Sequence, residues 1–236
     1  PLPFDSKVKE WKYWVANIRE QRKPDAPLPD AEPVAGAAKD TTHIAIIDKD
    51  GNVFDSTPSG GWIPGAVILG KTGIGMSIRG EQFWLDKTKA AQLRPRSRPR
   101  YTLTPGLVMK NGQPFMALGS PGGDNQEQTV LQAFLDIVEF WPDWYPNVHT
   151  AFEWPRVQTL HFHGSFWPHN AGLNVLNVEA NMPEAVFNEL KARGHNAQKI
   201  PAFGMNGCAT AVIVDPATSS RMAGGERRRD CYAIAY

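Results

Sequence analysis

The sequence predicts an α+β fold of antiparallel sheet layers with packed helices. Three observations carry that expectation: three separate hairpin patterns, two stretches with a single apolar helical stripe standing between them, and no internal repeat. In chain order, Asp5 or Ser6 caps a first helix whose Val8, Trp11, Val15 and Ile18 fall on one face. Residues 22–40 (RKPDAPLPDAEPVAGAAKD) have few large apolar side chains and the composition of an exposed linker. The runs HIAIID and VFDST flank a turn with Asp50-Gly51 and read as the first hairpin, so Thr41 lies where the linker enters a strand. GLVMK and QPFMAL around Asn111-Gly112 make the second, which runs into Gly119-Ser120-Pro121-Gly122-Gly123. From Asn125 or Gln126 to Phe140 the spacing predicts a helix with Val130, Phe134, Ile137 and Trp141 as its buried stripe, so the glycines precede a helix N-terminus. A shorter helix over Pro183 to Arg193 turns Val186 and Leu190 inward and stops at Gly194. ATAVIVD, PATSS and RMAGG form the closing hairpin.

With 236 residues and 42% hydrophobic content, the chain can bury one substantial core. Twenty-five basic and 24 acidic residues nearly cancel, so no global field points to nucleic acid or an anionic membrane. No apolar run is long enough to span a bilayer, and the start PLPFDSKVKEWKYW lacks the apolar run and cleavage site of a signal peptide. A soluble piece is expected, its compartment left open, with an upstream part missing. Cys208 and Cys231 are too few and too far apart for a disulfide framework or a zinc ribbon, and are expected to be reduced.

Two features carry candidate chemistry. A cut before Thr41 gives that residue a free α-amine, a base attached to the nucleophile itself; the alternative is that Thr41 and Thr42 are β-formers opening a strand. The Gly-Ser-Pro-Gly-Gly turn presents backbone N–H groups at a helix start, which suits an oxyanion or a phosphate; the alternative is a plain strand-to-helix connection.

Taken together, Thr41-Thr42-His43, Asp48 with Gly51-Asn52, the segment RPRYTLTP from Arg98 to Pro105, and Gly119 to Gly123 occur in the order and spacing of the γ-glutamyltranspeptidase family, which the chain resembles. Trp154-Pro155-Arg156 is similar to that family's Ala-Pro-Arg segment, and RRDCYAIAY to its C-terminal signature. The resemblance implies an αββα sandwich of the N-terminal-nucleophile hydrolase type, with residues 1–40 as the end of a large subunit and 41–236 as the small, catalytic subunit. It implies self-cleavage between Asp40 and Thr41, Thr41 as nucleophile, Ser59 as the neighbouring hydroxyl with Thr57 on the same strand face, and Gly122 and Gly123 as the oxyanion hole. Tyr101 and Thr102 stand where many members have paired serines that contact substrate. The chemistry calls for no cofactor. The expected partners are the large-subunit segment of the same precursor, a small-molecule amide and, as an option, a second copy of the chain.

The chain departs from the family at three places. Gln82 replaces the acid that pairs with the α-amine of a γ-glutamyl group, Arg79 replaces the loop's Gln, and Gly61 replaces an Asn near the nucleophile. An amide in place of a carboxylate weakens recognition of an ammonium, unless a one-residue shift brings Glu81 into place. Arg79, Arg98 and Arg100 offer a carboxylate clamp instead, or a solvated surface. The leading expectation is therefore an amide hydrolase or acyl transferase for a γ-glutamyl or related acyl group. A dicarboxylic-acyl amidase and a catalytically silent homologue stand as alternatives. His161, His163 and His169 near Glu153 are expected to pack rather than to bind metal, and Trp141, Trp144, Trp154 and Trp167 to lie in the core or at an interface.

Overall fold

In a computed structural model, residues 41–60, 71–72 and 77–235 are described. The expected first helix, the linker, Asp40 and Gly61 lie outside them. Each predicted hairpin forms. β1 (Ile44–Ile47) pairs antiparallel with β2 (Val53–Ser56), and β3 (Gly106–Lys110) with β4 (Gln113–Gly119). Asn111 (φ 52°) and Gly112 (φ 78°) both take the left-handed conformation that a tight two-residue hairpin demands. After β4 come α1 (Gln126–Glu139) and two single-turn helices, α2 (Trp141–Trp144) and α3 (His149–Phe152). A three-stranded sheet follows, from β5 (Val157–Thr159), β6 (Val175–Glu179) and β7 (Asn196–Ile200), with α4 (Glu184–Ala192) as the crossover that lets β6 and β7 run parallel. The last hairpin, β8 (Thr210–Val214) with β9 (Arg221–Gly225), docks β8 antiparallel on β4, giving the order β3-β4-β8-β9.

This sheet is covered on both faces. On one, Phe115, Met116, Leu118 and Ile213 pack with Ala133 and Ile137 of α1 and Phe152 of α3. Across the other lies the β1–β2 hairpin: the His43 imidazole rests where a side chain at Gly119 would stand, so only glycine fits there. A helical layer, a four-stranded sheet and a second β layer are thus stacked, in keeping with the α+β expectation. The outer face of β1–β2 carries exposed Ile44, Ile46 and Phe54.

Three local expectations need correction. In α1 the fully buried side chains include Thr129, Ala133 and Ile137, while Val130 and Phe134 are only partly buried against the core. In α4 the buried residue is Phe187, not Val186, which is 43% exposed: one residue is about 100° of helix rotation. Cys208 and Cys231 are joined, with Cα atoms 7.0 Å apart, and tie the C-terminal residues to the segment before β8.

Candidate active site

Thr41 stands at the head of β1, half-buried, and the Thr42 N–H donates to the Pro58 carbonyl at 3.1 Å, extending the β1–β2 pairing to the first residues. That register sets Thr41 opposite Ser59, and their hydroxyl oxygens are 2.7 Å apart. Thr57, two residues back, is buried with its hydroxyl unpartnered among the described residues.

Two residues along the same face, His43 is sunk beneath the site. Its Nε2 lies 2.9 Å from Asp55 Oδ1 on β2 and its Nδ1 2.5 Å from Thr210 Oγ1 on β8, with the His43 and Asp55 side chains almost wholly buried. The imidazole thereby pins the strand headed by Thr41 to its hairpin partner and to the central sheet. Sequence reasoning missed this trio. The one available signal was an acid, Asp55, inside a β-rich run.

Gly119 ends β4 against this imidazole, so the glycine turn leaves the sheet beside β1, and Pro121 and Thr42 line a common cleft of about 330 Å³. Gly122 (φ 138°) and Gly123 (φ 57°) take conformations that other residues rarely adopt, and they open the short 3-10 turn that leads into α1. The turn is braced from several sides. Ser120 Oγ accepts from the Cys208 N–H at 2.9 Å, and the Asn125 amide donates to the Asn206 carbonyl at 2.5 Å. A side chain at Gly122 would stand 2.8 Å from that same carbonyl. The Gln126 amide nitrogen, oriented to satisfy its neighbours, donates to the Thr102 and Ser120 carbonyls at 3.0 and 2.9 Å.

The expected substrate contacts are only partly gathered here. Arg79 donates to Ser59 Oγ, and fully buried Gln82 accepts from Arg79 Nη1 at 3.1 Å while donating to the Arg100 carbonyl. Glu81 is exposed, so no one-residue shift turns its carboxyl into the place of Gln82. Thr102 is buried, but Tyr101 is 62% exposed. The three arginines form no common clamp: Arg98 is exposed, and the Arg100 side chain donates to the His163 carbonyl and lies 3.8 Å from Asp124. His169 is buried, with Nδ1 2.8 Å from the Gly164 carbonyl and Nε2 3.2 Å from the Phe83 carbonyl, and it stacks on Trp84. Trp167 is exposed, whereas Trp141 and Trp154 pack against Phe115 and Phe140.

The family model described as gamma-glutamyltranspeptidase matches residues 8–236. The chain belongs to the γ-glutamyltranspeptidase family. Among its relatives it is 32% identical over 181 residues to a glutathione hydrolase-like YwrD proenzyme of Bacillus subtilis, covering 75% of this chain and 32% of that protein. It is also 32% identical over 178 residues to the acylase ACY 1 proenzyme of a Pseudomonas species (strain SE83), covering 74% of this chain and 29% of that protein. The chain therefore spans about a third of the length of such relatives. The γ-glutamyltranspeptidase of Pseudomonas nitroreducens, solved with L-DON, aligns over 83% of this chain and 100% of its own at a TM-score of 0.63 and 21% identity, a likeness of fold. The four-stranded sheet, its helical layer and the β1–β2 hairpin are thus parts of an N-terminal-nucleophile hydrolase fold.

Proposed function

We propose that this chain is the nucleophile-bearing part of an amide hydrolase or acyl transferase, made as a precursor that cuts itself between Asp40 and Thr41. The supporting observation is the 2.7 Å contact between the Thr41 and Ser59 hydroxyls at the head of β1, beside a braced glycine turn. In self-cleavage, Thr41 Oγ1 attacks the Asp40 carbonyl carbon, the C–N bond between the two residues breaks, and its nitrogen takes a proton. Water then hydrolyses the ester, leaving the Asp40 carboxylate and a free Thr41 amine. In turnover that amine accepts the hydroxyl proton as Oγ1 bonds to the substrate's acyl carbon. The Gly122 and Gly123 N–H groups receive the oxyanion. Collapse breaks the amide C–N bond, and the proton passes from the Thr41 ammonium to the leaving amine. Water or a second amine then attacks the acyl-ester, returning a proton to Thr41 Oγ1.

A large-subunit segment of the same precursor is the partner we assign to the apolar face of Ile44, Ile46 and Phe54, an exposure that an isolated sheet would seldom keep. The substrate is a small amide. A γ-glutamyl acyl group is the family's reading, but a second has an observation in its favour. Where an acid would hold the substrate ammonium stands the neutral, buried Gln82, beside the cationic Arg79. Acyl groups without that ammonium, dicarboxylic ones included, suit such a site better.

The decisive test is denaturing mass spectrometry of the complete, freshly purified protein beside a Thr41→Ala version. A fragment beginning at Thr41, present in the first and absent in the second, is expected; an uncut chain in both would refute the proposal. Comparing γ-glutamyl with glutaryl anilides then separates the substrate readings.

A further inference from the structure

Arg79 carries more than the substrate contact its sequence position suggested. Its side chain is packed rather than splayed: the residue is 8% exposed, Nη2 donates to Ser59 Oγ, Nη1 donates to Gln82, and the guanidinium carbon lies 5.2 Å from the centre of the Phe166 ring. Gly60 (φ 83°) makes room for it, because a side chain there would stand 2.7 Å from Arg79 Nε. Ser59 in turn touches Thr41 Oγ1, so one hydroxyl separates the cation from the nucleophile.

Among the described residues, no partner balances its charge. No carboxylate among the described residues lies within ion-pair distance of Arg79. The other titratable groups around the head of β1 are engaged with neighbours or face water. His43, just before β1, lies 2.9 Å from the Asp55 carboxylate on β2, Arg100 stands 3.8 Å from Asp124 beside the glycine turn, and Asp230 is an exposed residue of the cleft lining.

We propose that Arg79 is a positioning residue for the nucleophile: it holds Ser59 against the Thr41 hydroxyl, and its nearby positive charge keeps the Thr41 α-amine in its proton-accepting form at lower pH than an ordinary α-amine. This rests on the acyl-ester reading above. A neighbouring cation disfavours the ammonium form and so lowers the amine's pKa. The reaction needs the neutral amine, so rate is lost as pH falls through that pKa. Removing the Arg79 charge raises the pKa and moves the acid limb of the rate profile to higher pH.

The experiment uses the complete processed protein as wild type, Arg79→Gln and Arg79→Lys. Thr41 labelling by an electrophilic acyl analogue is read by mass spectrometry, and kcat and kcat/KM for an anilide are followed against pH. Arg79→Gln is expected to lower kcat about tenfold and to move the acid limb of kcat/KM up by about one pH unit. Arg79→Lys should lower kcat, because it loses the planar fork, while leaving the acid limb in place because it keeps the charge. The lysine variant keeps the question open to refutation if the glutamine variant fails to fold or to process: a displaced acid limb in it overturns the proposal. So does an unmoved limb in Arg79→Gln, or a raised KM with kcat and limb unchanged, which would make Arg79 a substrate contact only. An unlabelled, inactive wild type would instead overturn the acyl-ester reading and this proposal with it.

Discussion

Arg228→Met should cost both stability and activity, through a buried charge network that reaches the glycine turn. The guanidinium donates to Glu179 through Nε at 2.8 Å and Nη2 at 2.6 Å, and to the Phe152 and Trp154 carbonyls at 2.8 and 2.7 Å. Its Nη1 lies 3.4 Å from Glu226, whose other oxygen is 2.5 Å from Arg156, and the charged side chains of these four residues are fully buried. Two buried cations and two buried anions face one another there, with the partly exposed Asp136 3.8 Å from Arg156; removing Arg228 leaves the buried carboxylates in excess. Burial already pushes the Glu226 carboxyl up, against the pull of Arg156 and Arg228, so less opposing charge means more protonation or more unfolding. Breaking such a pair costs about 3–5 kcal/mol, which for a domain of this size lowers Tm by roughly 6–20 °C. Function is reached through Glu179. Its Oε1 accepts from the Met205 N–H at 3.2 Å, and the adjoining Asn206 carbonyl packs on Gly122 and receives the Asn125 amide. Urea and thermal unfolding at neutral pH, with Thr41 ester formation at a temperature where both proteins are folded, measure the two effects. A variant within about 1 kcal/mol of wild type would refute the view that Arg228 compensates the buried carboxylates.

Three further outcomes follow from the same geometry. Gly119→Ala drives a methyl into the His43 ring and must break its bonds to Asp55 or Thr210; a loss of about 2–4 kcal/mol in unfolding experiments is expected, and an unchanged midpoint would show that the ring can step aside. Ser59→Ala removes the hydroxyl beside Thr41, and single-turnover acylation should fall by about tenfold to a hundredfold with little change in Tm; an unchanged rate would leave Ser59 without a role in the step. Asp136 has its pKa raised from 3.8 to about 6, by desolvation first, with Arg156 opposing. A carboxyl with a raised folded pKa binds its proton more tightly when folded, so its contribution favours the fold at low pH and is lost as pH rises from about 4 to about 6. Asp136→Asn should flatten that part of the stability profile, and an identical slope in both proteins would argue against the raised pKa.

The hairpins were legible because their information is local. Asn111-Gly112 sits between two β-rich runs, and both residues adopt the conformation those residue types tolerate, so sequence and structure agree on the turn and both strands, apart from a register shift between Val108 and Met109. The sheet order was not legible, because β8 pairs with β4 from about ninety residues away and no local pattern chooses that partner. Helical phase lies between these cases: a stripe can be seen, but choosing Val186 over Phe187 turns on packing against β6 and β7.

The candidate site shows the same division. Thr41, Ser59 and the glycine turn stood out because they lie in short motifs with family spacing. His43 and Thr210, 167 positions apart, meet only after the sheets stack, and their contact is what orients the strand that carries Thr41. Arg79 shows why a motif's place does not settle a residue's role. Its place in a family motif was readable, but its orientation depends on Gly60 lacking a side chain and on Ser59 standing opposite Thr41. A larger residue at position 60 would turn the guanidinium away from Ser59. Gly60→Ala should therefore reproduce the kinetic signature of Arg79→Gln without touching the charge count, and a Gly60→Ala enzyme with wild-type kcat would show that Arg79 reaches Ser59 by another path.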